Sequence, residues 1–476
     1  MSISERRTKI VCTLGPSSNS EQKIDQLVRN GMDIARLNFS HGTYEKHEEV
    51  ISNLRTVADR YDVSLPILAD LQGPKIRVGE IKDGACEISM GDYITLTTKD
   101  VVGTAQKVPV DYNGLIDDAV EGNKILIDDG LLELKIVKKN SDSLTAQVMV
   151  GGTLKSRKGL NLPKVDLSMA SLTDKDIDDL EFAVSKGVDY IGMSFVRSAD
   201  DIQEVISRVR ALDSNAGIIA KIEKPEAVEV IDDIIEESSG IMVARGDLGI
   251  EIPSEKVPMV QKNIIDRCRK AGKPVITATQ MLDSMIENPR ATRAESSDVA
   301  NAVLDGTDAV MLSGETAAGE YPIESIRTMD KICRSVEGNA PHIYNSLSYR
   351  KPEWKEKQVI ESLAYSCVAL AENVDAKVIS TITHSGSTAR RIAKFRPGVP
   401  LVAFTESEEV RRQLGLIWGV RPVMIDEIFD TDRSVKVMED YLHKNGLVSS
   451  DERVIIATGM PIAKRGRTNM IKVSTI

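Results

Sequence analysis

Lys221, Glu223 and Asp247 are the residues whose types and spacing first suggest chemistry. An apolar run, Gly217-Ile-Ile-Ala, delivers Lys221, Ile222, Glu223, Lys224 and Pro225. An amphipathic segment follows, and a second apolar run, Gly240-Ile-Met-Val-Ala, ends in Arg245-Gly246-Asp247. Read as strand, helix and strand, the stretch puts Lys221 and Glu223 on one face of the first strand's end, since alternate residues of a strand share a face. Asp247 falls at the matching end of the next strand. Carboxylates are hard oxygen ligands for a divalent ion, and a neighbouring ammonium suits a phosphate. The stretch therefore predicts metal-assisted chemistry on a phosphate-bearing ligand.

Such groups need a frame, and the chain repeats one. Strand-like runs occur at Lys9–Leu14, Met32–Leu37, Leu65–Leu71, Asp189–Phe195, Gly217–Ile222, Ile241–Arg245, Pro274–Thr279 and Asp308–Leu312. Helical segments lie between most of them: Ser20–Asn30 with Ser20 as N-cap, Thr173–Lys186 stopped by Gly187, and Val260–Ala271 stopped by Gly272. Eight such units in succession predict a (β/α)₈ TIM barrel over 1–71 and 167–340, in preference to a doubly wound sheet. Between the third and fourth strands, 72–166 is rich in Gly, Val, Thr and Asp, with short alternating runs and turn signals at Asp83-Gly84, Asn113-Gly114 and Asp129-Gly130. That pattern predicts a small inserted β-barrel domain. It leaves the C-terminal end of a barrel strand, so it is placed to act as a lid. After a polar linker, 341–476 alternates helix and strand again, with Val359–Asn373 helical and strands at Lys377–Thr383, Pro400–Phe404, Val420–Ile425 and Arg453–Thr458. This predicts a C-terminal α/β open-sheet domain.

Composition narrows the class. A net charge of −11 over 476 residues argues against a general nucleic-acid surface while permitting a local basic site. Cys12, Cys86, Cys268, Cys333 and Cys367 lack C-x-x-C spacing and predict reduced thiols, neither a disulfide framework nor a zinc site. No apolar run approaches the roughly 18 residues of a membrane span. The first residues lack the apolar core of a signal peptide. A cytoplasmic enzyme with no membrane and no nucleic-acid partner is the expectation.

Catalytic groups of such barrels gather at the C-terminal strand ends. Those ends carry Arg36, Asn38, Asp70, Lys221, Glu223, Asp247, Thr277, Thr279 and Ser313. Two cations, three carboxylates and several hydroxyls in one barrel mouth are unfavourable to bury without a ligand. The motifs in order are Thr8-Lys-Ile-Val-Cys-Thr-Leu-Gly-Pro-Ser, Ala35-Arg-Leu-Asn-Phe-Ser-His-Gly, Asp70-Leu-Gln-Gly-Pro-Lys-Ile-Arg, Lys221-Ile-Glu, Met242-Val-Ala-Arg-Gly-Asp-Leu-Gly, Ala278-Thr-Gln-Met-Leu and Met311-Leu-Ser-Gly-Glu-Thr. Through these the chain closely resembles the pyruvate kinase family over nearly its whole length.

The resemblance implies phosphate transfer from phosphoenolpyruvate to ADP, giving pyruvate and ATP in the last step of glycolysis. It implies that Glu223 and Asp247 hold Mg²⁺ or Mn²⁺, that Lys221 and Arg36 meet the moving phosphoryl group, and that the backbone of Arg245, Gly246 and Asp247 takes the substrate carboxylate with Thr279. Thr279 and Ser313 become the path for protonating the enolate. Nucleotide contacts fall on Asn38, Phe39, Ser40, His41, Arg77 and Lys158. The family's K⁺ pocket corresponds to Asn38, Ser40, Asp70 and Leu71. Here Lys75 stands where many members have glutamate, so its ammonium is expected beside Asp70 and K⁺ is expected to be dispensable. In the C-terminal domain, the loop Thr383, His384, Ser385, Gly386, Ser387 and Thr388 before a helix Ala389–Phe395 matches the family's site for phosphorylated allosteric effectors, with Lys464-Arg465-Gly466-Arg467 as added charge. A homotetramer is also implied. Two alternatives remain open on the residues alone: another metal-dependent phosphoenolpyruvate or pyruvate barrel enzyme, a lyase or mutase, and a catalytically silent metabolite sensor on this scaffold.

Overall fold

The computed structural model describes residues 6–165, 167–339, 359–427, 430–460 and 468–476. The linker to Lys355 and the Lys464–Arg467 run lie outside the described residues. Eight parallel strands close into a barrel: β1 (Lys9–Leu14), β2 (Ile34–Asn38), β3 (Ile67–Asp70), β12 (Tyr190–Met193), β13 (Gly217–Ile222), β14 (Gly240–Ala244), β15 (Val275–Ala278) and β16 (Ala309–Leu312). Their order follows the chain, with β3 next to β12 and β16 next to β1.

Most of these strands are buried on both faces, which is why they read as continuous apolar runs. Alternation sorts the two faces. Val11, Ile34, Leu68, Ile219, Met242, Ile276 and Met311 fill the barrel interior, while Ile10, Cys12 and Leu14 pack outward under the helices. The helices carry the expected caps. Ser20 accepts from the Lys23 N–H, and Thr173 with Asp176 forms a capping box for Asp174–Ser185. Gly272 ends Val257–Ala271 in the left-handed conformation at φ +73.

The insertion between β3 and β12 holds β4 (Ala85–Ile88), β5 (Tyr93–Thr97), β6 (Lys107–Pro109), β7 (Lys124–Ile127), β8 (Leu132–Lys139), β9 (Leu144–Val150), β10 (Gly152–Lys155) and β11 (Leu160–Asn161). The expected small barrel takes the form of a six-stranded sheet, β11-β7-β8-β9-β5-β6, with a two-stranded ribbon of β10 and β4. It has its own apolar core, including Ile94, Leu96, Leu134 and Val148. Gly73 lies on the way into it, at φ +70, and an added Cβ would meet Ser194 Cβ at 2.7 Å. Only glycine fits that exit.

The C-terminal sheet comprises β17 (Val378–Ile382), β18 (Leu401–Thr405), β19 (Val420–Met424), β20 (Arg453–Thr458) and β21 (Met470–Thr475), in the order β19-β18-β17-β20-β21. The antiparallel edge strand β21 was not among the predicted strands; its residues are partly exposed and carry no continuous apolar run. Five free cysteines agree with the reduced-thiol reading. Among the described residues no helix is long and apolar enough to cross a membrane.

This domain docks beneath the barrel, at the N-terminal ends of the strands. Leu416 joins the barrel's interior cluster. Arg396 donates to Asp308 Oδ1 at 2.9 Å and to the Gly306 carbonyl at 2.7 Å, and its guanidinium lies 4.7 Å from the Trp418 ring centre. Asp308 is buried and also accepts from the Val275 N–H at 3.1 Å. Replacing Arg396 by alanine strands that carboxylate, and a loss of about 3–5 kcal/mol in unfolding free energy is expected. Urea unfolding measures it; a loss below about 1 kcal/mol would place this pair among weak surface contacts.

Candidate active site

The strand ends meet in one charged cluster. Asp70, at the end of β3 and only 1% exposed, accepts from Arg36 Nε of β2 at 2.6 Å and lies 3.1 Å from Lys221 Nζ of β13. Arg36 also donates to Thr13 Oγ1 at 2.9 Å. Lys221 reaches Glu223 Oε1 at 3.0 Å and donates to Ser194 Oγ at 2.6 Å. Ser194 in turn donates to the Leu71 carbonyl at 2.7 Å. Glu223, 2% exposed, accepts from the Phe195 N–H at 2.9 Å.

Charge regulation follows from this geometry. Burial pushes the Asp70 carboxyl upward, but Lys221 and Arg36 together outweigh it and hold the group below its ordinary range. For Lys221 burial acts downward, and Asp70 and Glu223 overcome it, keeping the ammonium charged. Glu223 goes the other way. Burial raises it, Lys221 opposes, and Asp247 adds to the rise. A buried carboxyl pushed upward beside a second carboxylate is one whose charged form a divalent cation would stabilise. Among the described residues no group of three or more His, Cys, Asp or Glu is placed to hold a metal. Glu223 with Asp247 near enough to raise it would suit an ion that takes the rest of its shell from substrate and water, as Mg²⁺ commonly does.

Thr279 follows β15 and has φ +67, with Gln280 beside it at φ +54. A β-branched residue in that region is strained, and such strain persists only where surroundings enforce it. Here Arg245 does so. Its side chain donates to the Ala278 carbonyl at 3.1 Å and the Thr279 carbonyl at 2.7 Å, while pairing with Asp298 at 2.7 Å. Thr279 Oγ1 accepts from the Gly246 N–H at 3.0 Å and donates to the Ala278 carbonyl at 2.6 Å. An added Cβ at Gly246 would lie 3.5 Å from Thr279, an ordinary contact, so nothing within the protein demands glycine there. At the end of β16 the buried Glu315 accepts from the Ser313 N–H at 2.6 Å and the Leu282 N–H at 3.0 Å. The buried Ser313 hydroxyl has no hydrogen-bond partner among the described residues.

Other predicted residues fall differently. Lys75 points to Asp247 Oδ1, 3.9 Å away, whereas Asp70 is paired with Arg36 and Lys221. The turn explains the difference. Lys75 N–H donates to the Gly73 carbonyl, and its Cε lies against Gly159 of the lid, carrying the ammonium over the helix Arg245–Glu251 that bears Asp247. Asn38 Oδ1 accepts from the Ser40 N–H at 3.1 Å, and the Asn38 carbonyl from the His41 N–H. Phe39 is held by the core and by two main-chain hydrogen bonds. Its ring is buried and stacked on His47, its N–H donates to the Asp70 carbonyl, and its carbonyl accepts from Lys175 at 2.8 Å. Arg77 donates to the Arg157 carbonyl at 3.2 Å and Lys158 pairs with Asp128 at 2.8 Å, both contacts lying within the lid. In the C-terminal loop, Thr383 is buried, His384 Nδ1 is 3.8 Å from Glu406, Ser385 accepts from Arg390 at 3.0 Å, Gly386 has φ +77, and Thr388 pairs with Thr468 at 2.7 Å. The following helix is Ser387–Ala393, two residues earlier than the expected Ala389–Phe395.

Thr13, Ser194, Phe195, Asp298 and Glu315 were not among the predicted site residues. Only Thr13 and Glu315 sit in quoted motifs; Ser194 and Phe195 follow β12, and Asp298 comes from the helix Arg293–Asp305.

A TIM barrel with two cations on a buried aspartate, neighbouring carboxylates and an inserted domain after its third strand has the form of a phosphotransferase barrel. Comparison with known proteins gives the particular family. Residues 5–326 match the model of the pyruvate kinase barrel domain, and 361–474 match that of the pyruvate kinase alpha/beta domain. A pyruvate kinase of Geobacillus stearothermophilus is 46% identical over 475 residues, covering 99% of this chain and 81% of that protein. One from Staphylococcus aureus (strain MRSA252) is 45% identical, covering 99% and 80%. A crystal structure of a pyruvate kinase from Cryptosporidium parvum superposes with a TM-score of 0.93 at 37% identity, covering 99% of this chain and 96% of that one. The chain belongs to the pyruvate kinase family.

Strain at Thr279 is testable. Thr279→Ala and Thr279→Gly remove the same hydroxyl, but only glycine relieves the positive φ. The glycine variant is expected to be the more stable of the two by about 1 kcal/mol, with turnover reduced in both. Equal stabilities in thermal melts would mean that no strain is held there.

Proposed function

We propose that the chain transfers phosphate from phosphoenolpyruvate to ADP, giving pyruvate and ATP, with the cluster around Asp70 as its phosphoryl site. The observation that carries this reading is the placement of Arg36 and Lys221 on one buried aspartate beside Glu223. In phosphoryl transfer the protein's main task is to position the groups and neutralise the equatorial oxygens. Lys221 and Arg36 do this from two strands, each oriented by Asp70. Glu223 and Asp247 would hold the divalent ion, Mg²⁺ or Mn²⁺, which supplies further charge neutralisation when bound. The main chain at Arg245, Gly246 and Asp247, with Thr279, receives the substrate carboxylate. Arg245 acts on this through its side chain, by holding the Thr279 turn. Protonation of the enolate passes through the Thr279 hydroxyl as a relay, which hands on its proton while taking one from water, with the Ser313 hydroxyl as a further member of the path.

Asn38, Ser40, His41, Arg77 and Lys158 receive ADP as the lid closes, which brings positive charge to the phosphates and excludes water. The lysine at position 75, where K⁺-requiring members carry glutamate, supports an enzyme that needs no added K⁺, although its ammonium lies nearer Asp247 than the Asp70 pocket would require. Family membership supports a cytoplasmic homotetramer and an effector site at Thr383–Thr388. ADP-dependent release of pyruvate separates this reading from a lyase, a mutase or a silent sensor.

A coupled pyruvate assay tests the central role. Lys221→Met is expected to lower kcat by roughly 10²–10³-fold or more, as for the loss of one transition-state donor; near-normal turnover would falsify the assignment. For the monovalent ion, the wild type is expected to turn over in tetramethylammonium buffer. Lys75→Glu is expected to slow in that buffer and to recover with K⁺. A wild type that stalls without K⁺ refutes the proposal.

A further inference from the structure

A cleft of about 480 Å³ opens between the barrel floor and the C-terminal domain, at the end of the barrel opposite the phosphoryl site. Five cations line it: Arg210 and Lys273 from the barrel side, and Arg390, Arg391 and Lys394 from the C-terminal domain. Two carboxylates, Glu237 and Glu361, oppose them, leaving an excess of three positive charges in a chain whose net charge is −11. Glu361 is already engaged by both Arg391 and Lys394. Lys273 donates to the Glu236 carbonyl at 2.9 Å, a neutral acceptor. Burial and then the Arg390 guanidinium hold the Lys273 ammonium below its ordinary value. Cations crowded into a half-enclosed space raise one another's energy, and an anion placed among them relieves it. The remaining wall is mixed, with Ile206 and Ala216 beside the hydrogen-bonding side chains of Ser214, Asn215, Ser239 and Gln413. Its size is that of a pocket for a small organic ligand, in a place such pockets favour, between domains.

We infer that this cleft is a second anion site, built to bind a small organophosphate whose phosphate meets the arginines and lysines and whose polar body lies against Ile206 and the side chains of Ser214, Asn215 and Gln413. It is separate from the Thr383–Thr388 loop. Of that loop's residues only Ser387 lines the cleft, and the charges from Arg210 and Lys273 come from the barrel. The cleft touches the starts of β12 and β13 and the turns entering β14 and β15. About 15–20 Å further along, those four strands deliver Ser194, Lys221, Glu223, Asp247 and Thr279.

Titration calorimetry on the whole chain tests the site with inorganic phosphate, glucose 6-phosphate and adenosine monophosphate as probes. At least one organic phosphate is expected to bind, at least tenfold more tightly than inorganic phosphate. Arg210 is exposed on its helix, so the test variants are Arg210→Glu and Arg210→Gln, with melting curves matching the wild type as a check on folding. Arg210→Glu is expected to weaken binding at least tenfold, Arg210→Gln by less, and a loop variant, Thr388→Glu, not at all. The inference is overturned if neither organic phosphate binds, if inorganic phosphate binds equally well, or if binding survives Arg210→Glu unchanged. Loss in Thr388→Glu alone would assign the ligand to the loop and overturn it equally.

Discussion

Asp70 is a carboxylate held almost entirely out of water, and the barrel mouth is organised around keeping it charged. Withdrawing such a group from solvent costs several kcal/mol, which nearby cations return only at close range and good geometry. Arg36 at 2.6 Å and Lys221 at 3.1 Å meet that condition from two different strands. Each cation thereby loses rotational freedom before any ligand arrives. Cations fixed in this way are aimed in advance, which is the physical basis of electrostatic preorganisation.

The same economy of motion does not extend to the inserted domain. Arg77 and Lys158 are engaged within the lid, whose apolar core is separate from the barrel's. Gly73 joins the two bodies at a conformation and a spacing that other residues do not tolerate. The floor and the inserted domain are thus built separately: one fixes its charges around Asp70, the other holds Arg77 and Lys158 on its own groups.

Much of this was readable from residues alone, because the barrel strands are short apolar runs at regular intervals and alternation tells which residues share a face. The floor residues Arg36, Asp70, Lys221 and Glu223 follow from that rule and do meet. What failed lies just beyond the strand ends, where alternation no longer applies. Lys75 is five residues past Asp70, and its direction depends on a turn and on Gly159 of the lid. The bracing side chains of Arg245 with Asp298, and of Glu315 with Leu282 and Ser313, join segments whose meeting no local pattern announces. The edge strand β21 was missed because half-exposed residues leave no apolar run.

Leu416 belongs to the C-terminal domain in sequence and to the barrel's interior in space. A TIM barrel is commonly thought of as a module that closes itself, with neighbours appended at will. Here its lower end is stoppered by a borrowed side chain, with Arg396 and Trp418 sealing the rim. The two halves are thus not interchangeable parts. An ancestral exchange of the C-terminal domain would have had to conserve a cork of the right shape, so the junction constrains how this architecture can be recombined.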